Sequence, residues 1–129
     1  MNDDLARQIG AEKFVSLTTF KRDGSAVAGP MWIAPDGNDL VVWTPADSWK
    51  VKRLRRDPRV RLSPSNRTGK VAPDAPVLEA NAVVIDDPHQ VSQVEARIKA
   101  KYGIEFRVIT LIETVLARGR KPRVAVRIS

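Results

Sequence analysis

The sequence predicts a mainly β domain with α additions, organised as a small antiparallel barrel of about six strands. Three observations lead to this prediction. Short runs of alternating apolar and polar residues recur along the chain, and turn dipeptides such as Asp23-Gly24 separate them. Helical spacing interrupts the runs once after Thr44 and again towards the C-terminus. Closure into a barrel would remove the exposed sheet edges that such strands otherwise leave.

Composition limits the classes of protein that fit. The 129 residues suffice for one domain with a buried core, predicted over 1–129. The chain has no cysteine, which excludes disulfides and thiolate metal sites and favours a reducing, cytoplasmic location. No apolar stretch reaches the length of a membrane span, so neither membrane insertion nor secretion is expected. The net charge of +7 indicates a polyanionic partner without identifying it.

The first half of the chain is predicted to contain a short helix over 5–10 and an antiparallel meander. Asp23-Gly24 supplies a tight hairpin turn, because glycine adopts positive φ without steric cost. Pro30 has no N–H and therefore marks the second strand as a sheet edge or a bulge. The strands of the meander are predicted over 14–21, 25–34 and 39–44.

After the meander the apolar spacing becomes helical. Asp47 or Ser48 is predicted to cap the helix, and Val51 and Leu54 lie three residues apart on the side that faces the core. The helix ends before Pro58, because a residue that precedes proline avoids the helical region. The opposite side of the helix carries the cations Lys52, Arg53 and Arg56.

The second half of the chain alternates strands and helices. A segment rich in Pro, Ser, Asn and Gly predicts a loop over 64–76. Asp87 is expected to cap a helix that Gly103 ends, and a further helix is predicted over 108–118, closed by Gly119. The apolar stripe of the first of these helices consists of Val91, Val94, Ile98 and Tyr102. The strands are predicted over 59–63, 77–86 and 123–129.

Residues for acid–base, nucleophilic or metal chemistry are scarce in this sequence. His89 is the single histidine, follows the predicted start of a helix and is expected at the surface. Glu79 is as consistent with an ion pair as with a catalytic role, and the sequence contains neither a metal-ligand cluster nor a glycine-rich phosphate loop. If the chain is an enzyme, a cofactor therefore supplies the reactive step. No catalytic residue is assigned.

A basic segment is the best candidate for a binding site, since residues 50–61 contain seven lysines and arginines. The helix start, with Thr44, Ser48 and Lys50 beside it, is suited to a phosphate. A longer anionic tail would be served by Lys52, Arg53, Arg56 and Arg61. These charges are equally consistent with a solvated helix face. Trp32 and Trp43 are candidates to wall a flat aromatic ligand, or else belong to the core or an interface.

The segment LTTFKRDGSAVAGPMWIAPDGNDLVVWTPADSWKVKRLRRDPRVRLSP carries a resemblance to a known family. Its DG hairpin, its P-x-W strand and the series T-P-A-D-S-x-K-V-K-R-L-R-R-D-P-R-V are similar to the pyridoxamine-phosphate-oxidase-like flavin-binding split barrels. Among these, the segment resembles the actinobacterial branch of enzymes that use the deazaflavin coenzyme F420. The match covers residues 12–64, and the later KYG segment fits as well. The resemblance implies a homodimeric split β-barrel that holds its cofactor in a groove between the subunits.

The resemblance also implies a function and a set of binding residues. The function is that of an oxidoreductase that transfers a hydride from reduced deazaflavin to a small organic acceptor. The residues implied to bind the cofactor are Pro30, Met31 and Trp32 at the ring, Trp43, Thr44 and Ser48 at the ribityl chain and phosphate, Lys50 at the phosphate, and Lys52 and Arg56 at the tail.

The charge pattern favours F420 over FMN as the cofactor. F420 carries a phosphodiester and a string of glutamates, whereas the charge of FMN ends at one phosphate, so a row of cations suits F420 better. Three alternatives stay open: an FMN-dependent oxidoreductase, a non-catalytic carrier of a flavin or tetrapyrrole, and a basic domain that binds nucleic acid. The last lacks a helix-turn-helix, zinc-finger or RNP-like signature.

Overall fold

The computed structural model describes residues 1–116 and 122–129. In these residues the chain forms α1 Asp3–Gly10, β1 Val15–Phe20, β2 Ala26–Met31, β3 Ala34–Asp36, β4 Asp39–Pro45, α2 Trp49–Arg56, β5 Arg59–Pro64, β6 Leu78–Ile85, α3 Pro88–Tyr102, α4 Ile104–Leu116 and β7 Arg123–Ile128. The predicted helix over 108–118 begins earlier, at Ile104, and its predicted end, with Gly119, lies outside the described residues. No helix in the two described ranges is long and apolar enough to cross a membrane.

The seven described strands form one antiparallel sheet in the order β2-β1-β5-β6-β7-β4-β3. The two edge strands, β2 and β3, are separated in the chain only by Trp32 and Ile33. The sheet therefore curls until its edges meet at this corner, which gives a split barrel. The prediction of a mainly β split barrel with α additions is confirmed. Pro30 lies in edge strand β2, so the edge position predicted from its missing N–H is confirmed.

The prediction of one strand over 25–34, within a three-stranded meander, is wrong. That segment divides into β2 and β3 on either side of the corner, and β4 pairs with β3 and β7 instead of β2. At the corner the N–H of Ile33 donates to Tyr102 Oη at 3.0 Å, and the carbonyl of Ile33 accepts from Lys101 Nζ at 2.6 Å. Two side chains of α3 thus satisfy backbone groups that a continuous strand would have given to a neighbouring strand.

Helix α2 confirms the predicted cap and phase. Ser48, one of the two predicted caps, accepts a hydrogen bond from the N–H of Val51 at 3.4 Å. Val51 and Leu54 are 1% and 3% exposed, so the helix turns its apolar side to the core. Asp57 ends the helix directly before Pro58, as predicted.

Two apolar clusters hold the fold together. The first fills the barrel and includes Ile9, Val15, Leu17, Leu40, Leu62 and Ile128. The second lies beneath α3 and α4 and includes Val41, Val94, Ile98, Tyr102 and Phe106, which confirms most of the stripe predicted for α3. Trp32 and Trp43 pack against the second cluster. Most of the predicted site residues lie beside this second cluster.

Candidate functional site

A cleft of about 210 Å³ opens where the ends of β2 and β4 meet the first turn of α2 and one face of α4. The fold brings together here six of the nine residues predicted to bind a cofactor, although they come from three separate segments. These are Pro30, Met31, Trp32, Trp43, Thr44 and Lys50. We refer to this space as the cleft.

One wall of the cleft is suited to an anion. Burial, together with the neighbouring guanidinium groups of Arg53 and Arg123, lowers the pKa of the half-buried Lys50. Within residues 1–116 and 122–129, no carboxylate forms an ion pair with Lys50. Thr44 is 1% exposed, and its hydroxyl has no hydrogen-bond partner in the same part of the chain. A bound anion would satisfy both groups, and each of them is costly to bury alone.

The aromatic side chains of the cleft are fixed from behind. The indole of Trp32 stacks on the ring of Tyr102, with 4.2 Å between ring centres and 9° between planes. The ring of Trp43 lies 5.3 Å from that of Phe106 and is tilted by 36°. Each indole therefore has a face or an edge covered by protein. A planar ligand would find rigid apolar walls here, because the rings are held by packing.

Arg123 is a cleft residue that the sequence prediction missed. It begins β7, and the β4–β7 register places it opposite Pro45, next to Thr44. Its guanidinium lies 4.3 Å from the ring centre of Trp43 and forms an ion pair with Glu113 of α4. Only the pairing of two strands that are distant in sequence brings Arg123 to the cleft. No local sequence signal could have revealed it beyond the predicted start of a strand.

The loop over 65–77 reaches the cleft at the edge strand. Gly69 has a φ of +89°, and a Cβ at this position would lie 3.1 Å from Pro30 Cδ. The side chain of Asn66 accepts hydrogen bonds from the N–H groups of Thr68 and Lys70 at 3.0 and 2.9 Å. The loop contains no helix or strand, as predicted, and its own hydrogen bonds shape the turn that packs on Pro30.

The other three predicted residues lie outside the lining of the cleft. Ser48 is the cap of α2, and its hydroxyl is engaged with Val51. Lys52 and Arg56 lie on the other flank of α2, in an open groove of about 610 Å³. We refer to it as the basic groove; its described lining consists of Lys21, Arg22, Trp49, Lys52, Arg53 and Arg56.

The basic groove is partly preorganised. Arg53 Nε donates to Thr19 Oγ1 at 2.7 Å, and Arg56 donates to the carbonyl of Phe20, so β1 anchors both guanidinium groups. Each guanidinium has five N–H donors, and these bonds leave several for a ligand. Trp49 is 70% exposed, and Lys52 Nζ lies 4.4 Å from the centre of its ring. The groove thus combines anchored cations with one open aromatic surface.

The hairpin residues Lys21 and Arg22 also line this groove, and the sequence prediction did not single them out. The cleft and the groove are neighbours, because Lys50 in the cleft interacts electrostatically with Arg53 in the groove across one turn of α2. Arg61, which was also a candidate for an anionic tail, instead pairs with Glu79 at 3.4 Å. This pair favours the ion pair over the catalytic role for Glu79.

The remaining titratable candidates are structural or exposed. Asp87 caps α3 by accepting from the N–H of Gln90 at 3.0 Å, as predicted. His89 is exposed in the first turn of α3 and does not line the cleft, which confirms its expected surface position. Glu113 is the acidic side chain among the described residues that line the cleft, and it is paired with Arg123.

Solved structures of low sequence identity share this fold. The conserved hypothetical protein Rv2991 from Mycobacterium tuberculosis matches with a TM-score of 0.70 and 23% identity, covering 100% of this chain and 80% of that chain. The haem storage protein HutZ from Vibrio cholerae matches with a TM-score of 0.67 and 12% identity, covering 100% of this chain and 90% of that chain. An F420 reductase matches with a TM-score of 0.56 and 19% identity, covering 95% and 90%.

At these identities the similarity concerns the fold alone, since one fold serves many chemistries. No curated protein matches the sequence. The family model for pyridoxamine 5′-phosphate oxidase matches residues 1–129, which is the whole chain given. The split-barrel fold agrees with that match. The chain belongs to the pyridoxamine 5′-phosphate oxidase family.

Proposed function

We propose that the chain binds the deazaflavin coenzyme F420 and transfers a hydride from the reduced ring to a small organic acceptor. The observation that carries this proposal is that cations lie on both flanks of α2, in two different surroundings. A half-buried ammonium, Lys50, faces an apolar cleft on one flank, while an extended basic groove lies on the other flank. This order suits a ligand that has a flat ring, a phosphate and a polyanionic tail.

The cleft offers the ring and phosphate ends of such a ligand suitable partners. Lys50 and the hydroxyl of Thr44 would hold the phosphate, because in the described residues the half-buried ammonium has no carboxylate paired with it and the buried hydroxyl has no hydrogen-bond partner. The cleft volume of about 210 Å³ is below the roughly 300–1,000 Å³ of whole ligand sites, so the cleft would hold only part of the cofactor. The tail would extend beyond the cleft into the basic groove.

In this reaction the protein would position the cofactor and the acceptor and exclude water from between them. F420 supplies the hydride chemistry when bound. Met31, Trp32 and Phe106 would exclude water from the face of the ring at which an acceptor arrives. None of the described lining residues is a histidine or an unpaired carboxylate, so we assign no protein residue to proton transfer.

The basic groove distinguishes F420 from FMN. FMN ends at its phosphate and would leave the groove unused, whereas the glutamates of F420 would run along Lys52, Arg56 and the hairpin cations. An FMN enzyme and a carrier of FMN would each use the cleft without the groove. Binding of nucleic acid would use the groove without the cleft.

Titration of oxidised F420 and of FMN, side by side at low and physiological salt, tests this proposal. We expect F420 to bind more tightly and with the steeper salt dependence, because several exposed ion pairs are screened together. Lys50→Ala should weaken both ligands, whereas Lys52→Glu should weaken F420 only. Lys99→Glu, on the exposed side of α3 and outside both linings, is the matched control for charge. FMN binding that equals or exceeds F420 binding would contradict the assignment.

Catalysis is tested separately from binding. We expect oxidation of reduced F420 by at least one member of a panel of quinones, enones and nitroaromatic compounds to be faster with the protein than without it. Uptake of F420 with no acceleration across the panel would identify a carrier instead of an enzyme. Tight binding of single-stranded DNA or RNA at physiological salt, without uptake of either flavin, would favour the nucleic-acid alternative.

A further inference from the structure

One acidic side chain lies among the cations of the cleft. Glu113 of α4 lines the cleft together with Lys50 and Arg123, and among the described residues it is the one carboxylate that does so. Its side chain is 33% exposed and forms an ion pair with Arg123. A carboxylate in this position repels any anion that the cleft receives. Glu113 therefore affects which anions can bind there.

The ion pair of Glu113 with Arg123 is held in place by the fold. Arg123 begins β7, its side chain is only 12% exposed, and its guanidinium lies 4.3 Å from the centre of the Trp43 ring. A guanidinium has five N–H donors, and the hydrogen bond to Glu113 uses one of them. Arg123 thus keeps donors for a ligand, while Glu113 offsets its charge.

The charges that line the cleft nearly balance. Lys50 and Arg123 supply two positive charges and Glu113 supplies one negative charge, so the described lining has a net charge of +1. A phosphodiester carries one negative charge, whereas a phosphate monoester carries about 1.5 to 2 at pH 7, because its second pKa is about 6. The lining therefore matches a phosphodiester. The second charge of a monoester would be left without a counter-charge in a partly buried cleft, which is costly.

We propose that Glu113 is a specificity-determining residue of the cleft, which favours a singly charged phosphodiester over a doubly charged phosphate monoester. Its carboxylate repels each negative charge of the ligand, so a monoester loses about twice as much binding free energy as a diester. This inference rests on the proposed position of the phosphate beside Lys50 and Thr44. It gives the chain a means of distinguishing F420, which has a phosphodiester, from FMN, which has a monoester, without using the basic groove.

Titration of FMN and of its monomethyl phosphate ester tests the role of Glu113. The two ligands share a ring and a ribityl chain, differ by one charge, and have no tail that could reach the basic groove. We expect the wild type to bind the methyl ester more tightly than FMN at about pH 7.5, where FMN is doubly charged. Glu113→Gln should shift the ratio of the two dissociation constants towards FMN by about fivefold or more.

Glutamine keeps an amide oxygen that can accept from Arg123, and circular dichroism checks that the variant is folded. Glu105→Gln is the matched control, because it removes one negative charge from the same helix, where Glu105 pairs with Lys13 outside the cleft lining. This control should leave the ratio unchanged. A ratio that Glu113→Gln does not change would overturn the inference.

Acidification tests the same inference on the wild-type chain. FMN loses its second charge below about pH 6, whereas the methyl ester keeps its single charge. We expect the preference for the ester to shrink between about pH 7.5 and about pH 5.5, and to shrink less in Glu113→Gln. The cations beside the proposed phosphate position are Lys50, Arg53 and Arg123, and neither lysine nor arginine ordinarily titrates in this range.

Three results would contradict the inference in different ways. A wild type that binds FMN more tightly than the ester at about pH 7.5 would overturn it, and so would a wild type that binds neither ligand. If Lys50→Ala leaves the binding of both ligands unchanged, the phosphate lies elsewhere, and this inference and the proposed phosphate site both fail. A normal effect of Lys50→Ala with an unchanged ratio in Glu113→Gln removes only the role of Glu113.

Discussion

The hydroxyl of Tyr102 accepts a hydrogen bond from the N–H of Ile33 at 3.0 Å and donates one to the carbonyl of Lys13 at 2.7 Å. The same ring stacks on Trp32 in the wall of the cleft. One side chain of α3 therefore fixes the corner between β2 and β3, the chain entering β1, and an aromatic wall of the candidate site. The corner and the cleft are coupled by this residue.

Tyr102→Phe should separate the two roles of this side chain. The phenylalanine keeps the stack on Trp32 but leaves the N–H of Ile33 buried without its partner, so we expect a loss of about 1–3 kcal/mol in the free energy of unfolding. Urea denaturation measures this loss. Tyr102→Leu should cost more, since it also removes the aromatic stack. Equal stability of Tyr102→Phe and the wild type would show that the hydrogen bonds at the corner contribute nothing.

The stability of the fold should depend on alkaline pH through Lys101. Burial lowers the pKa of Lys101 to about 8 from 10.5, although its ammonium donates to the carbonyl of Ile33. Between these two values the unfolded chain holds a proton that the folded chain has released, so the free energy of unfolding should rise with pH.

Burial raises the pKa of Tyr102 to about 12 from 10.0. Above pH 10.0 the unfolded chain has released a proton that the folded chain keeps, so Tyr102 makes the free energy of unfolding fall with pH in that range. Urea unfolding between pH 8 and 10 therefore excludes the tyrosine. Burial also lowers the pKa of Lys50, so the part of the rise that belongs to Lys101 is the part that its substitution removes. Lys101→Met should flatten the rise with pH. The same slope in both proteins would remove Lys101 as its source.

Lys50→Ala should weaken binding of F420 at low salt by about 1–3 kcal/mol, as expected for the loss of one charge-assisted contact, while the fold survives. Val51→Asp, one residue along, should instead unfold the domain, because Val51 is 1% exposed and a charge there would be buried. Calorimetric titration and thermal melting distinguish the two variants. A normal melting curve for Val51→Asp would contradict the phase of α2.

Thr44→Val should change stability and binding in opposite directions. The buried hydroxyl has no hydrogen-bond partner in the described residues, so its removal should leave the free energy of unfolding unchanged or raise it by about 1 kcal/mol. Binding of a phosphate-bearing cofactor should weaken, because the ligand loses a donor. Thr44→Ser, which retains the hydroxyl, is the control for binding. A clear loss of stability in Thr44→Val would indicate that the hydroxyl serves the fold.

The sequence patterns predicted the local elements well because those elements depend on neighbouring residues. The cap at Ser48, the buried phase of Val51 and Leu54, and the exposed charges on α2 all follow from spacing within one or two turns. The local sequence pattern did not predict that the strand over 25–34 divides in two. The division depends on Lys101 and Tyr102 of α3, whose side chains form hydrogen bonds with the backbone of Ile33.

The residues of the candidate site also fall into two groups, those that lie close together in the sequence and those that only the folded chain brings together. The segment around Thr44 and Lys50 is short and its residues lie together in the fold as they do in the sequence. Arg123 depends on which strand pairs with β4, and Lys21 depends on where the first hairpin lies against α2. The predicted residues divide between the cleft and the basic groove because they lie on opposite flanks of α2. The spacing of the charges in the sequence did not reveal this division.

The central claim is that the cations around α2 hold the anionic part of a planar redox cofactor. A crystal structure of the protein soaked with oxidised F420 tests it most directly. We expect the phosphate within hydrogen-bond distance of Lys50 Nζ and Thr44 Oγ1, with the tail along Lys52 and Arg56. A cofactor bound elsewhere, with Lys50 and Thr44 untouched, would contradict the claim.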